Sequence, residues 1–254
     1  MTTRGVTLSD REQENKLLVV VTVGPRATAL APPPTWSRTV DWFPASELEP
    51  ALCRAVVVCV FDGQDEAHLG IVRTTLEQFR RHPEPVAIVA YRPRSSAGHT
   101  REHLARLAAA WNAVVLIPGS PDVGLGDVVS ACLECLAIPG LLCVHDEPYE
   151  KLLRPPGYGE VHVLTCDERH TGSIDCPMPV SVPRVIGTGL NHDVLATLWL
   201  PDGVGLKLVN DAYSAFTDAL PSDAELLLAC NLTSEPHIKM SVVKLFPVHR
   251  PMSG

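Results

Sequence analysis

Four stretches in the first half of the chain are apolar almost without interruption: Leu17–Val23, Ala55–Phe61, Val86–Tyr91 and Ala113–Ile117. Short, β-branched runs bounded by Gly, Pro and Asp predict strands buried on both faces. Between them the apolar positions change to helical spacing. Leu69, Val72, Leu76 and Phe79 form one stripe; Leu104, Leu107, Ala108 and Trp111 form a second. Val129, Cys132, Leu133 and Leu136 form a third within Gly126–Ile138, which Pro139-Gly140 terminates. Asp62 or Asp65 is available to cap the first helix, and Ser95 or Ser96 opens the second. A short Thr39–Phe43 stretch predicts an edge strand. Strand–helix alternation at this spacing implies a parallel sheet with right-handed crossovers.

The pattern changes after Tyr149. Pro155–Pro183 is rich in Gly, Pro and charge and carries one short strand-like piece, Val161–Thr165. Val194–Leu200 alternates, Leu206–Leu220 is helical, and Glu225–Cys230 is apolar. In Ile238–Phe246 the apolar residues fall largely on alternate positions, which predicts one face in water. The expected organisation is a flexible N-terminus over residues 1–16, an α/β domain over 17–150, and a smaller α+β domain with a mixed or antiparallel sheet over 151–250.

With 254 residues, 46% of them hydrophobic, and a mean hydropathy of +0.12, the chain can bury a sizeable core. Lys and Arg number 21 against 29 Asp and Glu, for a net charge of −8. That balance argues against charge-driven binding to nucleic acid or anionic membranes. No apolar run approaches the ~20 residues of a membrane span, and Met1–Lys16 is polar, so a cytoplasmic protein without membrane insertion is expected. The eight cysteines are mostly embedded in apolar runs, as at Cys53, Cys59 and Cys230, and read as small buried hydrophobes rather than disulfides.

Several constellations could carry chemistry. Asp62, Asp65, Glu66 and His68 lie at the carboxyl end of a central strand, where open α/β sheets bind ligands. Metal-assisted hydrolysis is conceivable there, though residues so placed more often cap the following helix and favour its dipole. Arg92, Arg94 and Arg101 follow the next strand and could meet an acidic partner or simply be solvated. Cys132, Cys135, Cys143 and His145 make a possible zinc set, but two of the thiols lie within a helix, where burial explains them as well. His162, Cys166, His170 and Cys176 match no ligand spacing. The chain has no Walker A, Gly-x-Ser-x-Gly or dinucleotide-binding glycine fingerprint.

Several motifs, in order, resemble the FtsZ/tubulin superfamily. Val86-Ala-Ile-Val-Ala-Tyr-Arg-Pro-Arg-Ser-Ser-Ala-Gly98 is similar to the family strand that runs into Thr-Arg-Pro-Phe-Ser-Phe-Glu-Gly. Ala113-Val-Val-Leu-Ile-Pro-Gly119 resembles the next strand, which in the family ends Ile-Pro-Asn, and Ile138-Pro-Gly-Leu-Leu142 resembles the end of the central helix. Leu198–Phe246 resembles the family's C-terminal domain in spacing. The resemblance implies a parallel nucleotide-binding-type sheet with flanking helices plus a smaller α+β domain, and subunits that meet head to tail.

Most of the family's nucleotide motifs are altered. The Gly-rich phosphate loop is replaced by Asp62-Gly63-Gln64-Asp65-Glu66-Ala67-His68, whose carboxylates would repel phosphate by on the order of several kcal/mol if desolvated. The first-strand loop keeps Gly24 but gains Pro25, which has no N–H. Gly119 replaces the family Asn, and Ala97 replaces the Glu before Gly98; Arg101 aligns with a ribose-contacting Arg. In the catalytic loop, Cys143-Val144-His145-Asp146-Glu147-Pro148 places His145 and Pro148 where the family has acids, and Asp146 or Glu147 could serve only after a one-residue slip. A pseudo-GTPase is therefore expected, with no cofactor required although GTP is conceivable. It would act through contacts with itself or an FtsZ-type protein, in cell-division or cytoskeletal assembly. The alternatives are a GTP-binding protein with weak GTPase activity and a metal-dependent enzyme at Asp62–His68.

Overall fold

The structure is a computed structural model that describes residues 18–30, 40–47, 56–63, 66–79, 86–93, 100–138, 140–142, 144–167, 178–187, 192–201, 206–235 and 237–248. The apolar runs become β1 (Leu18–Val23), β3 (Val56–Asp62), β4 (Val86–Arg92) and β5 (Val114–Pro118), with β2 (Val40–Pro44) at the edge where the sequence places it. One turn of helix, α1 (Pro25–Thr28), follows β1; α2 (Glu66–Phe79), α3 (Arg101–Trp111) and α4 (Leu125–Ala137) follow β3, β4 and β5. Then come α5 (Asp146–Leu153), β6 (Gly157–Asp167), α6 (Met178–Ile186), β7 (Asp193–Pro201), α7 (Leu206–Ala219), β8 (Leu226–Thr233) and β9 (His237–Pro247).

All nine strands join one sheet in the order β2-β1-β3-β4-β5-β6-β9-β7-β8. The six from β2 to β6 are parallel; β9 runs antiparallel to both β6 and β7, and β8 pairs parallel with β7. One face packs under α2 and α3 through Val57, Cys59, Phe61, Val89 and Val115. The opposite face packs under α4 and α5 through Val58, Val60, Ile88, Leu116, Leu195 and Val243. In the C-terminal half α6 and α7 cover Ala196, Leu198, Met240 and Val242. Tyr158 packs with the α2–α3 cluster and Leu164 with the α6–α7 cluster. Both are even-numbered residues of β6, so the two helix pairs share a face of the sheet.

Helix α4 is the central beam and lies across β3 through β9. Its near-continuous apolar sequence suits an element with sheet along one side and α5 along another. Asp127 accepts from the Gly124 N–H at 3.0 Å and fixes its start, and the Tyr149 hydroxyl donates to the Cys132 carbonyl at 2.9 Å, tying α5 to it.

Several local expectations change. The cap of α3 is Thr100, whose hydroxyl accepts from the His103 N–H at 3.3 Å; Ser95 and Ser96 lie outside the described residues. The strand expected over Val161–Thr165 is eleven residues long, Gly157–Asp167. Glycine lowers its apparent β character, yet Gly159 is required there. A Cβ on it would come within 2.3 Å of the Lys244 carbonyl oxygen and 2.7 Å of Leu116. β7 is buried nearly throughout instead of alternating. β9 has no wet face: it lies between β6 and β7, α4 covers one side, α6 and α7 the other, and even Ser241 is buried. Helix α6 arises inside the Pro-rich connector and contains Pro183, a residue that normally argues against helix.

Candidate functional site

The carboxyl ends of β1, β3, β4 and β5 align, so Gly24, Asp62-Gly63, Arg92 and Gly119 share one edge of the sheet. Three of these are the glycines of the altered nucleotide motifs, and each has a ring of the chain's own packed against it. A Cβ on Gly24 would sit 2.9 Å from the His68 ring, and its φ of +89° is one that side-chain residues rarely adopt. At Gly63 the added atom would lie 2.5 Å from the Tyr91 ring and 2.9 Å from the Arg92 carbonyl oxygen. At Gly119 it would lie 2.5 Å from His162.

The rings are held in turn. Tyr91 stacks on Phe61 at 5.4 Å with planes 5° apart, and His68 meets Phe61 edge-on at 6.1 Å. Burial raises the Tyr91 phenol. His162 sits beside Glu160, its Nε2 3.5 Å from the carboxylate, while Lys244, directly across the β6–β9 ladder, reaches the same oxygen at 3.0 Å. The imidazole and then the ammonium hold the Glu160 carboxyl at about 2 against the desolvation that opposes them.

Backbone donors are committed as well. The Gly63 N–H donates to the Arg92 carbonyl at 3.1 Å, and the Gly119 N–H donates to the Val161 carbonyl at 2.7 Å. Asp62, with a side chain only 12% exposed, pairs with the Arg26 guanidinium at 3.4 Å. Arg92 stands exposed at the end of β4, in register with Asp62. Arg101 does not point along this edge; its guanidinium lies 5.7 Å above the Phe246 ring of β9. Asp65 and Ala97 lie outside the described residues, and Glu66 is the first residue of α2.

On the far side of α4 the chain leaves Gly140 and makes one antiparallel bridge, Leu142 with Cys230 of β8. His145 is the exposed N-cap residue of α5 without a side-chain cap, Asp146 begins the helix, and Glu147 is exposed. A groove of about 530 Å³ opens here, lined by Leu142, Val144, Pro148, Tyr213 and the β8 leucines. Of its lining, Leu142 and Tyr213 are exposed large apolar side chains.

Of the zinc candidates, two are placed on the central helix. Cys132 and Cys135 are fully buried on α4, where desolvation pushes both thiols well up, Cys135 to about 12. Cys143 lies outside the described residues, and among the described residues no group of three His, Cys, Asp or Glu converges. Tyr91 and His162 are the participants that sequence reasoning missed; the one signal for His162 was its even-numbered position, shared with Tyr158 and Glu160, on a strand whose length was underestimated. No helix among the described residues is long and apolar enough to cross a membrane.

No protein-family model and no curated protein sequence matches the chain. Solved structures do. A Trp-to-Tyr variant of FtsZ from M. jannaschii superposes with a TM-score of 0.64 at 9% identity, covering 94% of this chain and 94% of that one. An empty FtsZ dimer from the same organism gives 0.62 at 11% identity, covering 98% and 99%. A GTPγS-bound protofilament of CetZ2 from Haloferax volcanii gives 0.53 at 11% identity, covering 75% of this chain and 65% of that one. The fold is therefore FtsZ/tubulin-like.

Proposed function

We propose that the chain is a non-catalytic FtsZ/tubulin-like assembly protein that works through subunit contacts rather than nucleotide turnover. The observation that carries this reading is the state of Gly63 and Gly119: the N–H groups that a phosphate-binding edge would offer are already donated to the Arg92 and Val161 carbonyls. A triphosphate does not fit beside them, because anion cradles depend on unpaired backbone donors at close approach. Tyr91 and His162 stand in the space the glycines leave open, and Asp62 adds a carboxylate to the same edge.

The assembly half of the proposal is supported by the solved structures the chain resembles, which include an FtsZ dimer and a CetZ2 protofilament. The two candidate faces are the sheet edge carrying Arg26, Asp62 and Arg92, and the post-helix loop carrying exposed Glu147. Arginine on one and acid on the other suit a head-to-tail contact between copies. Titration with a fluorescent GTP analogue is expected to show no saturable binding at micromolar concentration; tight binding ends the non-catalytic reading. Sedimentation of the protein alone is expected to show oligomers that dissociate as salt rises from 50 to 500 mM, since the Debye length shortens from roughly 14 Å to 4 Å. A monomer at every salt concentration removes the self-assembly half.

A further inference from the structure

We propose that Glu134, buried where α4 crosses β7, is a proton-operated latch between the central helix and the C-terminal half of the sheet. Protonated, it holds the last turn of α4 against Trp199; ionised, it lets that turn loosen. The latch is intramolecular and works whether or not copies of the chain associate.

Placement carries the argument. Against β3, β4, β5 and β6 the helix packs on apolar side chains such as Val58, Ile88, Leu116 and Val161. Against β7, β8 and β9 the surface turns polar. Trp199 stands in register with Asn231 on one side and Lys239 on the other, and Thr197 stands in register with Ser241. All are odd-numbered, like Leu195, Ala229 and Val243 of the same strands, which pack under α4. Thr197, Asn231 and Ser241 are buried, and the Asn231 amide nitrogen and both hydroxyls meet no hydrogen-bond partner among the described residues. Glu134, itself buried, is the acid set into this polar seam, and the Trp199 indole N–H donates to its carboxylate at 2.8 Å.

The surroundings press the acid to keep its proton. Burial comes first and pushes the carboxyl above its ordinary range, with Asp127 of the same helix adding to it. Lys239 of β9, the Trp199 indole and a hydrogen bond from Ser130 draw it back without cancelling the rise. Lys239 forms its ion pair with Asp127, at 3.8 Å. Glu134 also lies in the last turn of α4, where the helix carbonyls oppose a negative charge. The other elements bring no charge to it: Asp193 is at the far end of β7, and Cys230, the one ionisable residue of β8, faces α6 and α7. Helix α5 packs on α4 through Tyr149, beside Cys132 and Cys135, and burial pushes all three up, so they stay neutral. A raised acid stabilises the fold most below the ordinary value of 4.5, and that gain is lost as pH rises through the raised value. The loss falls on the last turn of α4, where the Glu134 carbonyl accepts from the Ile138 N–H at 3.3 Å. Glu160 acts in the separate window below 4.5.

The test is an NMR titration of the full, isotope-labelled chain from about pH 4 to about pH 8. The Glu134 carboxyl signal is expected to titrate above the ordinary carboxylate range, and the Trp199 indole N–H signal to move with the same midpoint. Over that rise the exchange protection factor of the Ile138 amide should fall at least about tenfold. Glu134→Gln keeps an oxygen to accept from the indole, so the indole signal and the Ile138 protection should then stay constant with pH. Lys239→Met removes the nearby cation and should move the Glu134 midpoint further up, a shift that a merely structural acid would not couple to Ile138. A Glu134 midpoint at or below the ordinary value overturns the proposal. So does an Ile138 protection factor that is flat in the parent, or whose pH dependence survives Glu134→Gln.

Discussion

Two edges of one sheet behave in opposite ways. At the carboxyl ends of β1, β3 and β5 the chain closes on itself: the Gly63 and Gly119 N–H groups reach carbonyls of adjacent strands, and His68, Tyr91 and His162 fill the space above Gly24, Gly63 and Gly119. At β8 it stays open: among the described residues only the Leu142 bridge meets its outer side, a groove of about 530 Å³ lies beside it, and Leu142, Tyr213 and Leu232 are exposed. The closed edge is the one where the fold family is expected to place its ligand, and the open edge lies where strand order runs out. A fold preserves its architecture while its polar groups change partners, because apolar burial, not the site, supplies most of the stabilisation.

The contrast can be broken most forcefully at Gly63. Gly63→Val drives a side chain into the Tyr91 ring and the Arg92 carbonyl, and the backbone oxygen cannot move without opening the β3–β4 ladder. Urea unfolding is expected to show a loss of about 3 kcal/mol. A neutral outcome would mean that the edge is looser than described.

A smaller effect is expected from pH. The Glu160 carboxyl is held at about 2, below its unfolded value, so its stabilisation is complete above about 4.5 and is lost as pH falls toward 2. Because Glu160 is about one-third exposed, solvent screening leaves on the order of 1 kcal/mol. Glu160→Gln should flatten stability between pH 4.5 and 2 relative to the parent and free the His162 ring, seen as a shift of its imidazole NMR signals. An unchanged pH slope would remove Glu160 from the closed edge.

The smallest effect belongs to the open edge. Leu142→Ser leaves the backbone bridge to Cys230 intact and removes a side chain that is 44% exposed. Stability is expected to change by less than about 0.5 kcal/mol, while binding of a hydrophobic dye at the groove falls. A large loss of stability would show that Leu142 is a core residue and the groove a folding feature.

Much of the fold was legible in the sequence because it is written in local periodicity. Leu18–Val23 and Val56–Asp62 are buried on both faces as their unbroken apolar runs require, and the stripe Leu104, Ala108, Trp111 faces the sheet at helical spacing. Cys132 and Cys135 are buried on α4, as their apolar neighbours imply. Local periodicity failed where a residue's surroundings come from far along the chain. The alternation in Ile238–Phe246 implies one face in water, but β9 is inserted between β6 and β7 and closed over on both faces.

By itself, then, the sequence determined the order and type of most elements, the parallel half of the sheet, and the acidic, glycine-poor character of the loop after β3. Tertiary structure alone decided that Gly119 lies against His162, that Arg101 stands over Phe246, and that Leu142 bridges Cys230. The physical reason is range. Burial preference and helical or strand period are properties of neighbours in the chain, whereas ring-on-glycine contacts and ladder partners are fixed only when the sheet brings distant segments within a few ångströms.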